Sequence, residues 1–299
     1  MSEHNVKKHR RRWEWTEVVS VIILTILMLL IIIPFWNALV ISLETAAAYG
    51  RQPFSWLPGE WTLENYTYLF QSSNALVMGY KGTLIVTSIG TVVGMTISVM
   101  GAYAFSRKFP GKKILFGLMV FTMFFGGGLI PIYLQLKNMG LLNTYAAIIL
   151  LSLVSVYNII IMKNGFDSIP ADLEEAAKID GANDLVIFVR VMLPLQKPLI
   201  ATFSLFTAVA YWNSWYWPLI TLSGSSKSVL QLYLRGMISA ISSAENGGQM
   251  TAAGAASVSS FSQGIKMSSV FMTMLPIMCV YPFLQKYFVK GILVGAVKM

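Results

Sequence analysis

Long apolar runs alternate along this chain with short polar ones. Residues 18–43, 82–106, 114–136, 138–162, 198–226 and 267–285 contain no Asp, Glu, Lys or Arg. Crossing a hydrocarbon core about 30 Å thick takes roughly 20 apolar helical residues, and each of these six runs is long enough. A seventh uncharged run, 246–265, is rich in Ser, Gly and Ala; without hydrophobicity it makes no span. The pattern predicts an all-α integral membrane protein with six transmembrane helices. A basic tail (1–17) precedes the first span (18–43), which carries Pro34, tolerable in a membrane helix when neighbours satisfy the freed carbonyl. In the loop 44–81, Leu63, Tyr66, Leu69 and Phe70 fall on one helical face, predicting a short interfacial helix with Trp56 and Trp61 as anchors. Residues 82–285 form a core of five spans, and 286–299 a tail.

Three features mark the core. Gly90, Gly94, Ser98 and Gly101 in the second span are small residues at a spacing that allows close helix contact. Gly126, Gly127, Gly128 and Pro131 interrupt the third span, predicting a kinked or broken helix; these residues suit either a hinge or close packing. The segment 223–266 has an amphipathic part near 228–241 and a Ser/Gly/Ala-rich part at 242–264.

Charge sets the orientation. Only 12% of the residues are charged, about half the usual share of a soluble domain. With the N-terminus in the cytoplasm, 16 of the 22 lysines and arginines fall on inside segments, as the positive-inside rule requires. Both termini are then cytoplasmic. The net charge of +9 is mostly this topology signal, and the basic run 7–12 reads as the flank of a membrane helix rather than a nucleic-acid site. The first apolar run is too long for a cleaved secretory signal. Cys279 is alone, so intramolecular disulfides are excluded. His4 and His9 lie in the tail, and no span holds an ionisable residue apart from Tyr and Cys. Proton or ion coupling within the chain is therefore unsupported. There is no P-loop, since "FPGKK" at 109–113 lacks its pattern; nor is there a metal-ligand cluster or nucleophile–base pair. The chain reads as no enzyme and as holding no cofactor or metal.

One polar insertion, 163–197, separates the fourth and fifth spans. Ser168 suits an N-cap, with Pro170, Asp172 and Glu174 in the first turn. Glu174 and Lys178 form an i,i+4 pair, and Gly181 suits the left-handed position that ends a helix. Asn183 or Asp184 then caps a second helix, Leu185 to Leu193, stopped by Pro194. Two capped helices with a bare alanine face at Ala176 and Ala177, and Glu175 beside it, point to docking rather than to a solvated loop.

Glu175-Ala176-Ala177, Gly181 three residues on, and V-x-L-P at 191–194 after nine more resemble the signature of ABC-importer permease subunits. The usual pattern has Ile where Val191 stands. Residues 127–150, 210–219 and 281–298 are similar to the carbohydrate-uptake, maltose-type branch and its oligosaccharide and polysaccharide-fragment subgroup. The likeness covers roughly 15–298. It implies a coupling helix seated on a cytoplasmic ATPase through Glu175, Ala176, Ala177, Asp180, Gly181, Leu193 and Pro194. It also implies a second, homologous permease, two ATPase subunits that hold ATP and Mg, an extracytoplasmic solute-binding protein facing 223–266, and alternating access in a prokaryotic cell membrane. In that branch a tail such as "GAVKM" (295–299) reaches the ATPase.

The neutral spans suit a neutral, hydroxyl-rich solute. "YWNSWYW" (211–217) offers Tyr211, Trp212, Asn213, Trp215 and Tyr216 within one span, with Tyr211 and Trp215 near one helical face. These residues either line a sugar path or form an aromatic belt at the interface. Rival readings are a permease for peptides or amino acids and a self-contained secondary carrier.

Overall fold

The computed structural model describes residues 15–71, 74–223, 227–245 and 262–296. The basic run 7–12, most of the Ser/Gly/Ala-rich part of 242–264 and the last three residues of the tail lie outside them. Contacts divide the chain into two units, Met1–Tyr68 with Thr251–Ser268 and Leu69–Met250 with Ser269–Met299. Among the described residues the regular structure is helical, with one isolated bridge between Glu44 and Trp61.

In the first unit, α1 (Trp15–Ser42) is apolar on all sides and almost entirely exposed, as a helix surrounded by lipid would be. Its C-terminal carbonyls are satisfied from α3 (Glu64–Gln71): the buried Asn65 amide donates to the carbonyls of Ser42 and Glu44, both at 3.1 Å. The Glu44 carboxylate accepts from Gly59 N–H at 3.0 Å. A short helix α2 (Ala46–Arg51) is capped by Thr45. Trp56 and Trp61 are exposed as expected. The buried side of α3, however, holds Asn65 and Leu69, while Leu63 and Phe70 point outward. The α1 carbonyls require a hydrogen-bond donor, and that need outweighs the apolar pattern.

The second unit is built on α4 (Ala75–Ser106). It begins seven residues before the expected span, so Lys81 lies exposed on the helix rather than in a loop. Against it pack α7 (Tyr145–Leu151), α8 (Val156–Asp167), α11 (Lys197–Trp212) and α13 (Leu230–Glu245). The small-residue stripe makes this possible. A β-carbon on Gly90 would stand 2.5 Å from the Tyr211 ring, and one on Gly94 would stand 2.5 Å from the Leu153 carbonyl. Gly101 has only ordinary clearance, 3.7 Å from Ile159. Gly90→Ala is therefore expected to lower the unfolding temperature of the purified protein, at a cost of about 1–3 kcal/mol. Gly101→Ala is expected to be neutral or mildly stabilising. Equal melting temperatures for the two variants would refute the close-contact account.

Among the described residues, three helices are long and apolar enough to cross a membrane: α1, α4 and Ser262–Val280, the start of α14 (Ser262–Ala296). Six is reached when each of three bent pairs counts as one span. The pair α5 (Lys112–Phe124) and α6 (Leu129–Asn138) breaks at the expected glycines with a bend of 111°. Gly128 adopts a left-handed φ of 81° there. No atom of the chain crowds Gly126, and the triplet lies at the bend. Of the other two breaks, the 52° one between α7 and α8 interrupts a run that the sequence presents as continuous, whereas the 78° one between α10 (Asp184–Leu195) and α11 falls where the polar insertion meets the fifth span.

Candidate coupling site and transport path

The insertion folds as two helices, α9 (Ala171–Ile179) and α10, joined by a tight turn. Asp180 ends α9, Gly181 follows at φ 81°, and the N–H groups of Gly181 and Ala182 donate to the carbonyls of Lys178 and Ala177, both at 3.0 Å. This is a Schellman closure, and its hydrophobic partners are the two alanines at its ends. Ala177 and Ala182 both lean on a core made by Met95, Val99, Met162, Phe166, Ile187 and Met192. Asn183 caps α10 through Val186 N–H at 2.9 Å, as its position predicts.

Two expectations are corrected. Ser168 caps the end of α8, donating to Gly165 O at 2.8 Å, and Pro170 takes the N-cap of α9. The hydroxyl finds an orphan carbonyl behind it before any N–H ahead of it. Nor does Pro194 stop the second helix. Proline cannot donate to the carbonyl four residues back, so residues Phe188–Met192 widen into a π turn, with Leu193 N–H donating to Phe188 O. The helix runs on to Leu195, and the bend falls at Gln196, whose buried side chain donates to Gly165 O at 2.6 Å.

The sequence leaves one pair of residues unnoticed. Glu174 is buried and takes two cations: Lys178 at 2.9 Å and Arg107, which pairs with its other oxygen. Arg107 follows α4 directly, lies 4.6 Å over the Tyr103 ring, and reaches the Met192 sulfur at 3.7 Å. One guanidinium thus joins the end of α4 to both insertion helices. The i,i+4 spacing of Tyr103 and Arg107 was the available signal.

Glu175, Ala176, Asp180 and Gly181 face outward, whereas Leu193 is half-buried against the core and Pro194 exposed. Leu173, Ala176 and Ile179 recur along one side of α9, with Ile179 87% exposed and Leu185, on α10, 70% exposed. A soluble surface rarely leaves such residues side by side unless a partner covers them.

The aromatic run is divided. α11 ends at Trp212, and Asn213 to Trp215 are unwound before α12 (Tyr216–Thr221), so Tyr211 and Trp215 share no helical face. Tyr211 and Trp212 are buried anchors. The Tyr211 hydroxyl donates to Ile149 O at 2.9 Å, in the break that exposes that carbonyl, and the Trp212 indole donates to Thr273 O at 3.3 Å. Asn213, Trp215 and Tyr216 are largely exposed. Beneath Tyr211 lies a cavity of about 290 Å3 lined by Ser98, Ser152, Ser155, Asn158 and Thr207 among others. It holds hydroxyls and an amide and no charge, a lining able to exchange hydrogen bonds with water or a hydroxyl-rich solute.

Residues 90–294 match the family described as the binding-protein-dependent transport system inner membrane component. The chain belongs to this family. It is 41% identical, over 90% of its length and 93% of the relative's, to the polygalacturonan/rhamnogalacturonan transport system permease protein YtcP of Bacillus subtilis. It is 40% identical to the protein LplC of the same organism, over 89% of each chain. Among solved structures it resembles a chain of a bacterial ABC transporter involved in the import of the acidic polysaccharide alginate, with TM-score 0.82 and 30% identity, covering 93% of this chain and 99% of that one. As a binding-protein-dependent permease, the protein is a multi-pass membrane component of an ABC importer, and its family supplies the channel rather than an enzyme. In that role the broken spans have a physical purpose: unwound backbone at membrane depth is tolerated where it is covered by protein or lines a polar cavity.

Proposed function

We propose that this chain is one half of a heterodimeric permease that carries oligosaccharides inward by alternating access. A solute-binding protein delivers the cargo on the outside, and two ATPase subunits, which hold ATP and Mg, supply the work on the inside. The observation that carries this reading is the exposed apolar side of α9 and α10, Leu173, Ala176, Ile179 and Leu185, on a segment whose other side is fastened to the end of α4. Such a surface suits a hydrophobic socket on the ATPase, with Glu175 as the ionic contact at its edge. Sixteen of 22 basic residues fall on the side this assigns to the cytoplasm. Closure of the ATPases then displaces α9 and α10, α4 moves with them, and the bend at Gly126 to Gly128 and Pro131 lets α5 and α6 follow. Asn213, Trp215 and Tyr216 lie toward the outer end of the path, with Tyr211 and Trp212 as its packed wall.

A carbohydrate cargo is supported by the named cargoes of the relatives and by the uncharged, hydroxyl-lined cavity. The test is uptake of labelled oligosaccharides by vesicles holding the full complex, with the ATPase subunits present or omitted. Uptake is expected only with them and with ATP, and Glu175→Lys is expected to reduce it at least tenfold by opposing the docking charge. Transport by the permease pair alone would establish a secondary carrier and overturn the reading. So would normal uptake by the lysine variant.

A further inference from the structure

Between the unwound turn and α13 lies a groove of about 480 Å3 lined by Trp215, Gln231, Leu234, Arg235, Ile238 and Ser239. The Arg235 guanidinium lies 4.0 Å over the centre of the Trp215 ring. The arginine is exposed, and among the described residues no carboxylate forms an ion pair with it. Cation–π contact fixes the guanidinium but consumes none of its N–H donors, whose planar fork matches a carboxylate. Beside it, the Gln231 amide donates to the Asn213 side-chain oxygen at 3.2 Å. That bond leaves the Gln231 oxygen and an Asn213 N–H pair for other partners. The groove thus combines a fixed cation, the Gln231 amide with Asn213 bonded to it, an indole, and the apolar side chains of Leu234 and Ile238.

We propose that this groove is a binding site for acidic sugar units, in which Arg235 takes the uronate carboxylate, Gln231 and Asn213 bond ring hydroxyls, and Trp215 meets a C–H face. The proposal rests on the oligosaccharide reading above and narrows it to uronic-acid-containing cargo. A lipid phosphate, an acceptor only, would use the cation and an amide N–H; the amide pair, which offers both donors and an acceptor beside the ring, matches the hydroxyls of a sugar. Location strengthens the assignment, because the groove adjoins Asn213 to Trp215, where the span opens and a solute leaving the binding protein would enter.

The experiment uses the complete transporter in vesicles, with binding protein at saturation, and measures uptake of trigalacturonate and of its carboxyl-reduced, neutral counterpart. Because the binding protein is the same throughout, the change in the acidic-to-neutral ratio between variants reports on Arg235. Arg235→Gln is expected to lower that ratio about tenfold, the loss of one charge-assisted hydrogen-bonded contact. Arg235→Lys is expected to keep part of it, and the wild-type preference is expected to weaken as salt rises. An unchanged ratio in Arg235→Gln overturns the site; if both rates then fall and follow the content of anionic lipid, the arginine serves the membrane surface instead. Wild-type uptake of the neutral sugar alone would remove this proposal and leave the oligosaccharide importer standing. Uptake of neither, with a peptide carried instead, would remove both.

Discussion

Gly181→Val is expected to abolish ATP-driven uptake while leaving the chain folded and inserted. The space around Gly181 is open, so the damage is confined to the backbone. Its φ of 81° lies where a β-branched residue is strained by about 1–3 kcal/mol. Relaxing that strain breaks the two hydrogen bonds that close α9 and swings its exposed side away from α10. The exposed Ile179 on one helix and Leu185 on the other then lose their fixed relation. Gly181→Asn is the control, since asparagine tolerates the left-handed region, and it is expected to retain most uptake. The measurement is uptake by the reconstituted complex beside co-purification of the ATPase. Full activity of the valine variant would show that the turn does not set the docking geometry.

The second large effect is expected at Arg107. Arg107→Leu strands the buried Glu174 carboxylate with Lys178 as its sole remaining cation and removes the polar link of α4 to α9 and α10, leaving the apolar core between them. A loss of about 2–3 kcal/mol is expected, less than for a fully enclosed pair because part of the guanidinium meets solvent. Replacing both partners, Arg107→Leu with Glu174→Leu, removes the stranded charge and should recover most of the melting temperature. Coupling should not recover. If the pair transmits movement from the insertion to α4, the double variant will still hydrolyse ATP with little transport. Recovery of transport together with stability would make the pair a matter of folding only.

These two sites differ in how far the chain announces them. The turn at Gly181 could be read directly, because helix ends are governed by neighbours a few residues away: Glu174 with Lys178, glycine at the left-handed position, asparagine before the next helix. Local rules misassigned Ser168 and Pro194, in each case by a few residues and through competition for the same backbone groups. Ser168 had a carbonyl behind it, and Pro194 could be absorbed by widening one turn. Arg107 counted only as an inside charge, and Arg235 only as one of a few outside, since a residue's partner 20 or 67 positions away leaves no trace in periodicity.

The sequence alone determined the class of protein. Runs of uncharged, apolar residues long enough for a bilayer call for helices that satisfy their own backbone. The insertion's glycine, alanines and acid identify the family. The glycines of the third span announced its break, but only the tertiary structure decided that the fourth and fifth spans are broken too, which aromatics are buried as anchors, and which charges meet. A break at Ser152 to Ser155 or Asn213 to Trp215 costs regular helical hydrogen bonds that nearby groups, such as Ser152 N–H on Ile149 O and Ser155 under Asn158 N–H, restore only in part. It becomes favourable only when distant groups, such as the Tyr211 hydroxyl on the Ile149 carbonyl, fold back to supply partners.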